Sequence, residues 1–401
     1  MPLSVKEEEV EIKVFAGTKL GHVPSKEEMD KIGGLTAGVC YLPDTIDKLF
    51  DEPAEKTQKR EGMIKSSGHK SPFDHSSVNF EFVDIPKIVA MILNDEQMYT
   101  TSEKSARYKR MALPDDENEV YEKWIQIFEG EIRKLQPKAP EWFTDIKIKK
   151  LAQENARYLT SVFTPTSMVY TMSYRQINIV YRKIAKEIDL LAGQDDAFSK
   201  RLRPALVEFN QKLEALGYID EKLSLDDKNF AVKLFNRSDR EVVEQFGESY
   251  TLLYKGSFAQ LAQAQRHRTI DYSIKMKDLK KAEFYVPPIL MGTQYEKMWL
   301  EDCEKLADNI PQGMLVPIVE RGTFENFVLK TKERNCTCAQ LEIDNQTTAS
   351  KQKLYEGLLV ENPPLAEELK PYLRGSRCTA PGYTCPAPCR YLDGVTGKRI
   401  I

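Results

Sequence analysis

Three short stretches concentrate the residue types that do chemistry. Gln263-Ala264-Gln265-Arg266-His267-Arg268 sets two guanidiniums around an imidazole at the end of an apolar, helix-like run. Such a cation patch suits phosphates or an electron-rich ring that gains charge, and its self-repulsion argues against a purely structural role. Glu103-Lys104-Ser105-Ala106-Arg107-Tyr108 places a carboxylate, a hydroxyl and an arginine at alternate positions. In an extended chain these point the same way, giving an acceptor, a small donor and a phosphate fork, although alone they read as a solvated charged stretch. Gly68-His69-Lys70-Ser71-Pro72-Phe73-Asp74-His75 holds two of the chain's four histidines in a turn that leads into a strand. The plain reading is a turn with one hydrogen-bonded histidine, since the spacing fits no helix-face zinc pair.

The cysteines form a fourth feature, because five of the seven fall between Cys336 and Cys389. Cys336, Cys338, Cys378, Cys385 and Cys389 are the short-spaced thiolates from two segments that a structural metal site uses, with zinc expected first and an iron–sulfur cluster allowed. Incidental buried cysteines, or a disulfide, would give the same spacing. The familiar nucleotide and hydrolase signatures are missing: no GxGxxG follows a strand, no serine sits in a GxSxG elbow, and Gly394-Val395-Thr396-Gly397-Lys398 is too short for a phosphate loop.

The elements that must position these residues follow from periodicity and turn chemistry. Strands are expected over 8–16, 77–83 and 250–254, and a glycine-rich stretch with Gly38-Val39-Cys40-Tyr41 after the first. Helices are expected over about 46–65, from Pro86 to Leu93, over 119–135, 146–159, 174–191 and 258–265, and at 295–307 and 324–334. Residues 193–230 suit a helical connector. The order of elements then repeats: an offset of 171 aligns Phe82-Val83-Asp84-Ile85-Pro86 with Leu253-Tyr254-Lys255-Gly256-Ser257, and an offset of 151 aligns Ala156 with Ala307 and sets Arg175 opposite Asn326 and Lys183 opposite Arg334. The halves read as diverged copies of one module.

Length and charge bound the possibilities. A chain of 401 residues suggests two or three domains. Fifty-eight Lys plus Arg against 61 Asp plus Glu, a net charge of -3, lacks the basic footprint of a duplex-binding protein, so no nucleic-acid partner is expected. No apolar run approaches the ~20 residues of a membrane span, and the acidic N-terminal stretch shows no secretory signal, which suggests a cytoplasmic protein without a membrane partner.

Taken together, the three stretches resemble the flavin-dependent thymidylate synthase family. The likeness extends over nearly the whole chain, from Cys40-Tyr41 through GHKSPFDH, SARY and the segment Glu154 to Arg175, to RHR and the late Ala339-Gln340-Leu341-Glu342-Ile343. The resemblance implies an α/β (α+β) fold, FAD as cofactor, NADPH and methylenetetrahydrofolate as co-substrates, and conversion of dUMP to dTMP without a cysteine nucleophile. It implies that Arg266, His267 and Arg268 hold FAD and polarise the pyrimidine, with Gln263 and Arg266 touching dUMP. Glu103, Ser105, Ala106 and Arg107 would form the opposite nucleotide wall, with Ser105 among the catalytic residues, Glu103 also reaching the flavin and Arg175 at the phosphate. His75 would lie at the flavin and folate face, and Glu342 with Ile343 on the flavin's adenosine side.

The family signature is split between the halves. Where the family has Arg-His-Arg seven residues before SARY, this chain has Asp95-Glu96-Gln97, and after its own RHR it has Ile274, Met276 and Asp278. The expected organisation is therefore an internal pseudo-dimer with one composite site and one dead site: a first copy over 1–210, a connector over 211–230, a second copy over 231–360 and a cysteine-rich tail over 361–401. Such chains would pair as homodimers. No arginine follows Ile343 at the family's late position, and Lys351 and Lys353 are the nearest basic residues. Two alternatives stay open: a flavin enzyme acting on another pyrimidine nucleotide, and a non-catalytic nucleotide- or RNA-binding descendant.

Overall fold

The structure is a computed structural model that describes residues 19–43, 45–105, 113–224, 231–235, 241–276, 282–336, 339–382 and 399–401. The expected strand over 8–16 lies outside them. Contacts divide the chain into two compact units, Met1–Val78 and Asn79–Ile401.

The first unit is helical. Helix α1 (Lys26–Tyr41) opens on a reciprocal capping box between Ser25 and Glu28 and contains Gly38-Val39-Cys40-Tyr41 of the glycine-rich stretch. Its small residues admit close neighbours: a Cβ on Gly34 would stand 2.8 Å from the Thr57 carbonyl. The single helix expected over 46–65 is two, α2 (Ile46–Phe50) and α3 (Ala54–Ser66). Pro53 has no N–H for a continuing ladder and starts the second helix instead. Arg60 spans the break, bonding both Glu52 oxygens at 2.7 Å and the Gly34 carbonyl at 2.9 Å.

The larger unit carries two antiparallel sheets with helices around them, an α+β arrangement. In chain order come β1 (Ser77–Pro86), α4 (Lys87–Leu93), β2 (Thr100–Glu103), α5 (Asp115–Arg133), α6 (Asp145–Ala156), β3 (Pro165–Ser173), α7 (Tyr174–Leu190) and α8 (Ala197–Ala215). There follow β4 (Ser249–Ser257), α9 (Phe258–Ala264), β5 (Asp271–Ile274), α10 (Tyr295–Lys305), β6 (Leu315–Thr323), α11 (Phe324–Arg334), α12 (Leu341–Glu361) and α13 (Pro363–Leu369). The sheets have orders β1-β3-β2 and β4-β6-β5, with equivalent strands in equivalent places. No described helix is long and apolar enough to cross a membrane.

Element bounds give the residue correspondence. Helices α4 and α9, and strands β2 and β5, start 171 residues apart, as expected. Strands β3 and β6 and helices α7 and α11 start 150 apart, which corrects the expected 151 and sets Arg175 opposite Glu325 and Lys183 opposite Glu333. The offset falls across the segment where the first half alone carries the 19-residue α5.

Equivalent positions also meet. Ser161 and Pro311, 150 apart, form an antiparallel bridge. Val162 N–H donates to the Ile310 carbonyl at 2.9 Å, and Gln312 N–H to the Thr160 carbonyl at 2.6 Å. Such exchanged bonds are those of an antiparallel bridge, and they join the two halves at positions 150 residues apart. Beside it the two halves share an aromatic core, with Trp124 of α5 edge-on to Trp299 of α10 at 4.7 Å and the Trp124 indole N–H donating to Asp302 at 3.0 Å.

Candidate functional site

The end of β2, the start of α4, the end of α9 and the end of α11 converge on a cavity of about 280 Å³. Its lining includes Lys87, Glu103, Lys104, Ser105, Arg157, Thr164 and Thr166 from the first half, and Ala262, Gln263, Gln312, Arg266 and Arg334 from the second. Residues from two of the three chemistry-bearing stretches thus line one cavity. Five cations surround one carboxylate, so the lining is matched to an anionic ligand.

Local structure explains each wall. Ser257 caps α9 by accepting the Gln260 N–H at 3.0 Å. Glu342 in turn accepts from the Ser257 N–H at 2.8 Å and hydroxyl at 2.5 Å. Helix α9 is apolar on its buried residues Phe258, Ala259 and Leu261, and it delivers Gln263 and Arg266 at its open end. Gln340, 2% exposed, ties the walls together: its side-chain oxygen accepts from both Arg157 and Gln263, and its amide donates to the Tyr158 hydroxyl. Arg266 Nη1 is buried without a hydrogen-bond partner among the described residues. A buried guanidinium N–H of this kind is a strong donor for a ligand acceptor.

The positions offset by 171 or 150 residues have a different character. Lys87, Glu103, Thr164, Thr166, Gln263, Gln312 and Arg334 correspond to Phe258, Ile274, Met314, Val316, Ile92, Val162 and Ile184. All seven are at most 2% exposed. Arg266 corresponds to Asp95, which is 6% exposed and whose carboxyl burial pushes well above the usual carboxylate range. Next to it Glu96 is closed off by Lys183 at 2.5 Å and the Lys233 N–H at 2.7 Å. The polar cavity thus has, at the counterpart positions, closely packed side chains that are apolar apart from Asp95, Glu96 and Lys183.

With this geometry in view, known proteins offer two comparisons. Residues 23–187 match the family model described as thymidylate synthase complementing protein. A flavin-dependent thymidylate synthase of Clostridium tetani (strain Massachusetts / E88) is 23% identical over 216 residues, which cover 48% of this chain and 87% of that relative. The match to the thymidylate synthase complementing protein family includes His75, Glu103, Ser105 and Arg157, whereas RHR lies beyond it.

The remaining expected residues are distributed unevenly. His75 is exposed at the end of a 3-10 turn in the first unit, and Tyr41 bonds His69 at 2.6 Å. Ala106 and Arg107 lie outside the described residues. Arg268 is exposed, its guanidinium 5.3 Å from the Tyr99 ring centre, a cation–π contact that holds it at the surface. Arg175 does not line the cavity; Arg157 and Arg334 do. Glu342 is turned to the α9 cap and Ile343 is fully buried. Lys351 and Lys353 do not stand in for a late arginine: Lys351 donates to the Tyr372 and Gly375 carbonyls at 2.9 and 3.2 Å, and Lys353 pairs with Glu244 at 2.6 Å. Of the five cysteines, Cys338, Cys385 and Cys389 lie outside the described residues, among which no three His, Cys, Asp or Glu are grouped to hold a metal ion.

His267 corrects the expected cation patch. It is 5% exposed, and burial, helped by Arg334 and Lys330, pushes its pKa from 6.5 down to about 2. The patch is therefore two guanidiniums with a neutral imidazole between them. The lowered value has a consequence for stability: below the unfolded value of 6.5 the unfolded chain takes up a proton that the folded chain refuses. This group's contribution is complete above pH 6.5 and declines as pH falls, by up to about 1.4 kcal/mol per unit. Denaturant titrations between pH 7 and 5 should show the decline in the native protein and a smaller slope in His267→Gln; equal slopes would contradict a buried neutral His267.

Proposed function

We propose that the chain is a flavin-dependent thymidylate synthase that converts dUMP to dTMP at one composite site per chain, the two halves being diverged copies of a single module. The observation that carries this reading is the cavity shared by Glu103, Ser105, Gln263, Arg266, Arg157 and Arg334, set against the mostly buried apolar residues at the counterpart positions. A site that needs one wall from each copy stays competent when each copy keeps only one wall. The family match and the Clostridium tetani relative supply the reaction class.

The donor set fits FAD. Arg266 offers a buried N–H without a partner among the described residues and Arg268 an exposed guanidinium, the groups that stabilise a ring system whose charge becomes more negative on reduction. When bound, the flavin supplies the hydride that completes the methyl group. The protein's own residues do the placement: Arg157, Arg266 and Arg334 hold the nucleotide phosphate and polarise the pyrimidine, and Ser105 and Glu103 form the facing wall. NADPH and methylenetetrahydrofolate are the co-substrates on this reading, and the chain works in the cytoplasm as a homodimer. The test is direct. Purified protein should carry or acquire a flavin spectrum with FAD, and with methylenetetrahydrofolate and NADPH it should release tritium from C5-labelled dUMP. A protein that stays colourless with FAD added, or that releases no tritium when flavin-loaded, overturns the assignment.

A further inference from the structure

Lys87 stands where the other half carries an apolar residue. It opens α4, where the other half opens α9 with Phe258 at 0% exposure. Its contacts follow the same pattern: Glu103 and Thr166 correspond to Ile274 and Val316, both buried. The same framework thus closes well with three apolar side chains at these places. In the cavity it carries instead an ammonium, a carboxylate and a hydroxyl.

These three groups are arranged in one way. Lys87 Nζ donates to Glu103 Oε1 at 2.5 Å, and Thr166 Oγ1 donates to the same oxygen at 3.2 Å. No hydrogen bond from the described residues reaches Glu103 Oε2. The side chains are only 16% and 7% exposed, and a partly buried ion pair is weak evidence for stability because desolvation offsets its attraction. Its effect is geometric. Two donors on one oxygen orient the carboxylate and leave its second oxygen as a single acceptor on a residue that lines the cavity.

We propose that Lys87, with Thr166, is a specificity-determining positioning residue: it holds Glu103 so that Oε2 reads one N–H or O–H donor of the bound nucleotide. This rests on the nucleotide reading of the cavity given above. On a deoxyuridine monophosphate the donors available are the base N3–H and the sugar 3′-hydroxyl, and ligands lacking each in turn separate them. A pinned acceptor penalises a ligand that leaves it unpaired, whereas a loose carboxylate turns elsewhere.

The experiment is calorimetric titration of the full chain with dUMP, N3-methyl-dUMP and 2′,3′-dideoxy-UMP, for the native protein, Lys87→Met, Lys87→Arg and Thr166→Val. In the native protein one of the two modified nucleotides should bind roughly 10-fold or more weakly than dUMP, the size expected for a hydrogen bond to a charged group. In Lys87→Met that ratio should fall to about two-fold or less, in Thr166→Val it should fall partway, and Lys87→Arg should restore it. A merely electrostatic Lys87 would weaken all three ligands alike and keep the ratio, which overturns the proposal while leaving the nucleotide reading intact. Native protein that binds none of the three overturns both.

Discussion

Replacing Arg266 by alanine is expected to lower turnover by about 10²–10³-fold, the cost of removing a preorganised donor from a site where charge develops. Two observations make Arg266 the residue to remove. Its Nη1 is buried without a partner, so the donor is held ready for a ligand and supports nothing else among the described residues. If the halves are copies of one module, its counterpart is Asp95, a side chain of opposite charge on the same kind of helix end. The fold should therefore survive, and unfolding transitions of native and variant protein should coincide to within about 1 kcal/mol, as for half-buried positions outside a bonded network. Tritium release from C5-labelled dUMP, measured at saturating nucleotide, is the readout. Ser105→Ala tests the facing wall in the same assay. An Arg266→Ala protein with native turnover would remove Arg266 from the chemistry and the composite site with it.

What the sequence makes legible is local. The RHR stretch and the EKS stretch stand out because cations and carboxylates are crowded where periodicity ends, and the strand-turn-helix starts at Lys87 and Phe258 are visible as an offset of 171. The order of strands within each sheet, by contrast, depends on pairing between distant segments. So does the arrival of Arg157 and Arg334 in the cavity, one from the end of α6 and one from the end of α11. A search for a basic residue after Ile343 passes over Arg334, which lies nine residues earlier in sequence but reaches the cavity because α11 ends there. The charge of His267 is likewise invisible in the string RHR, since it depends on burial that only packing supplies. Lys87 looks like an ordinary first-turn lysine until its counterpart Phe258 and its partner Glu103 are seen together.

The largest stability effect is expected from Lys330→Met. Lys330 of α11 and Glu320 of β6 are both fully buried and meet at 2.6 Å. The Tyr250 and Tyr254 hydroxyls donate to the two Glu320 oxygens at 2.8 Å each, and the ammonium lies 6.0 and 5.9 Å from the ring centres of Tyr254 and Tyr272. The first half has Tyr170 and Val180 at these positions, so the pair is particular to the half that carries RHR. Removing the ammonium leaves a carboxylate in an apolar core with only two neutral donors, a loss of about 3–5 kcal/mol for breaking a buried pair. Neutralising the partner as well removes the stranded charge, so Lys330→Met with Glu320→Gln should recover much of it, and a double-mutant cycle in denaturant measures the coupling. Additive losses would show that the two side chains act independently. The pair also bears on the cavity, because Arg334 follows Lys330 by one turn of the same helix and His267 faces both. Fixing α11 to β6 from inside fixes the cavity's last arginine, so the single variant should lose nucleotide affinity along with stability, and the double variant should regain both together.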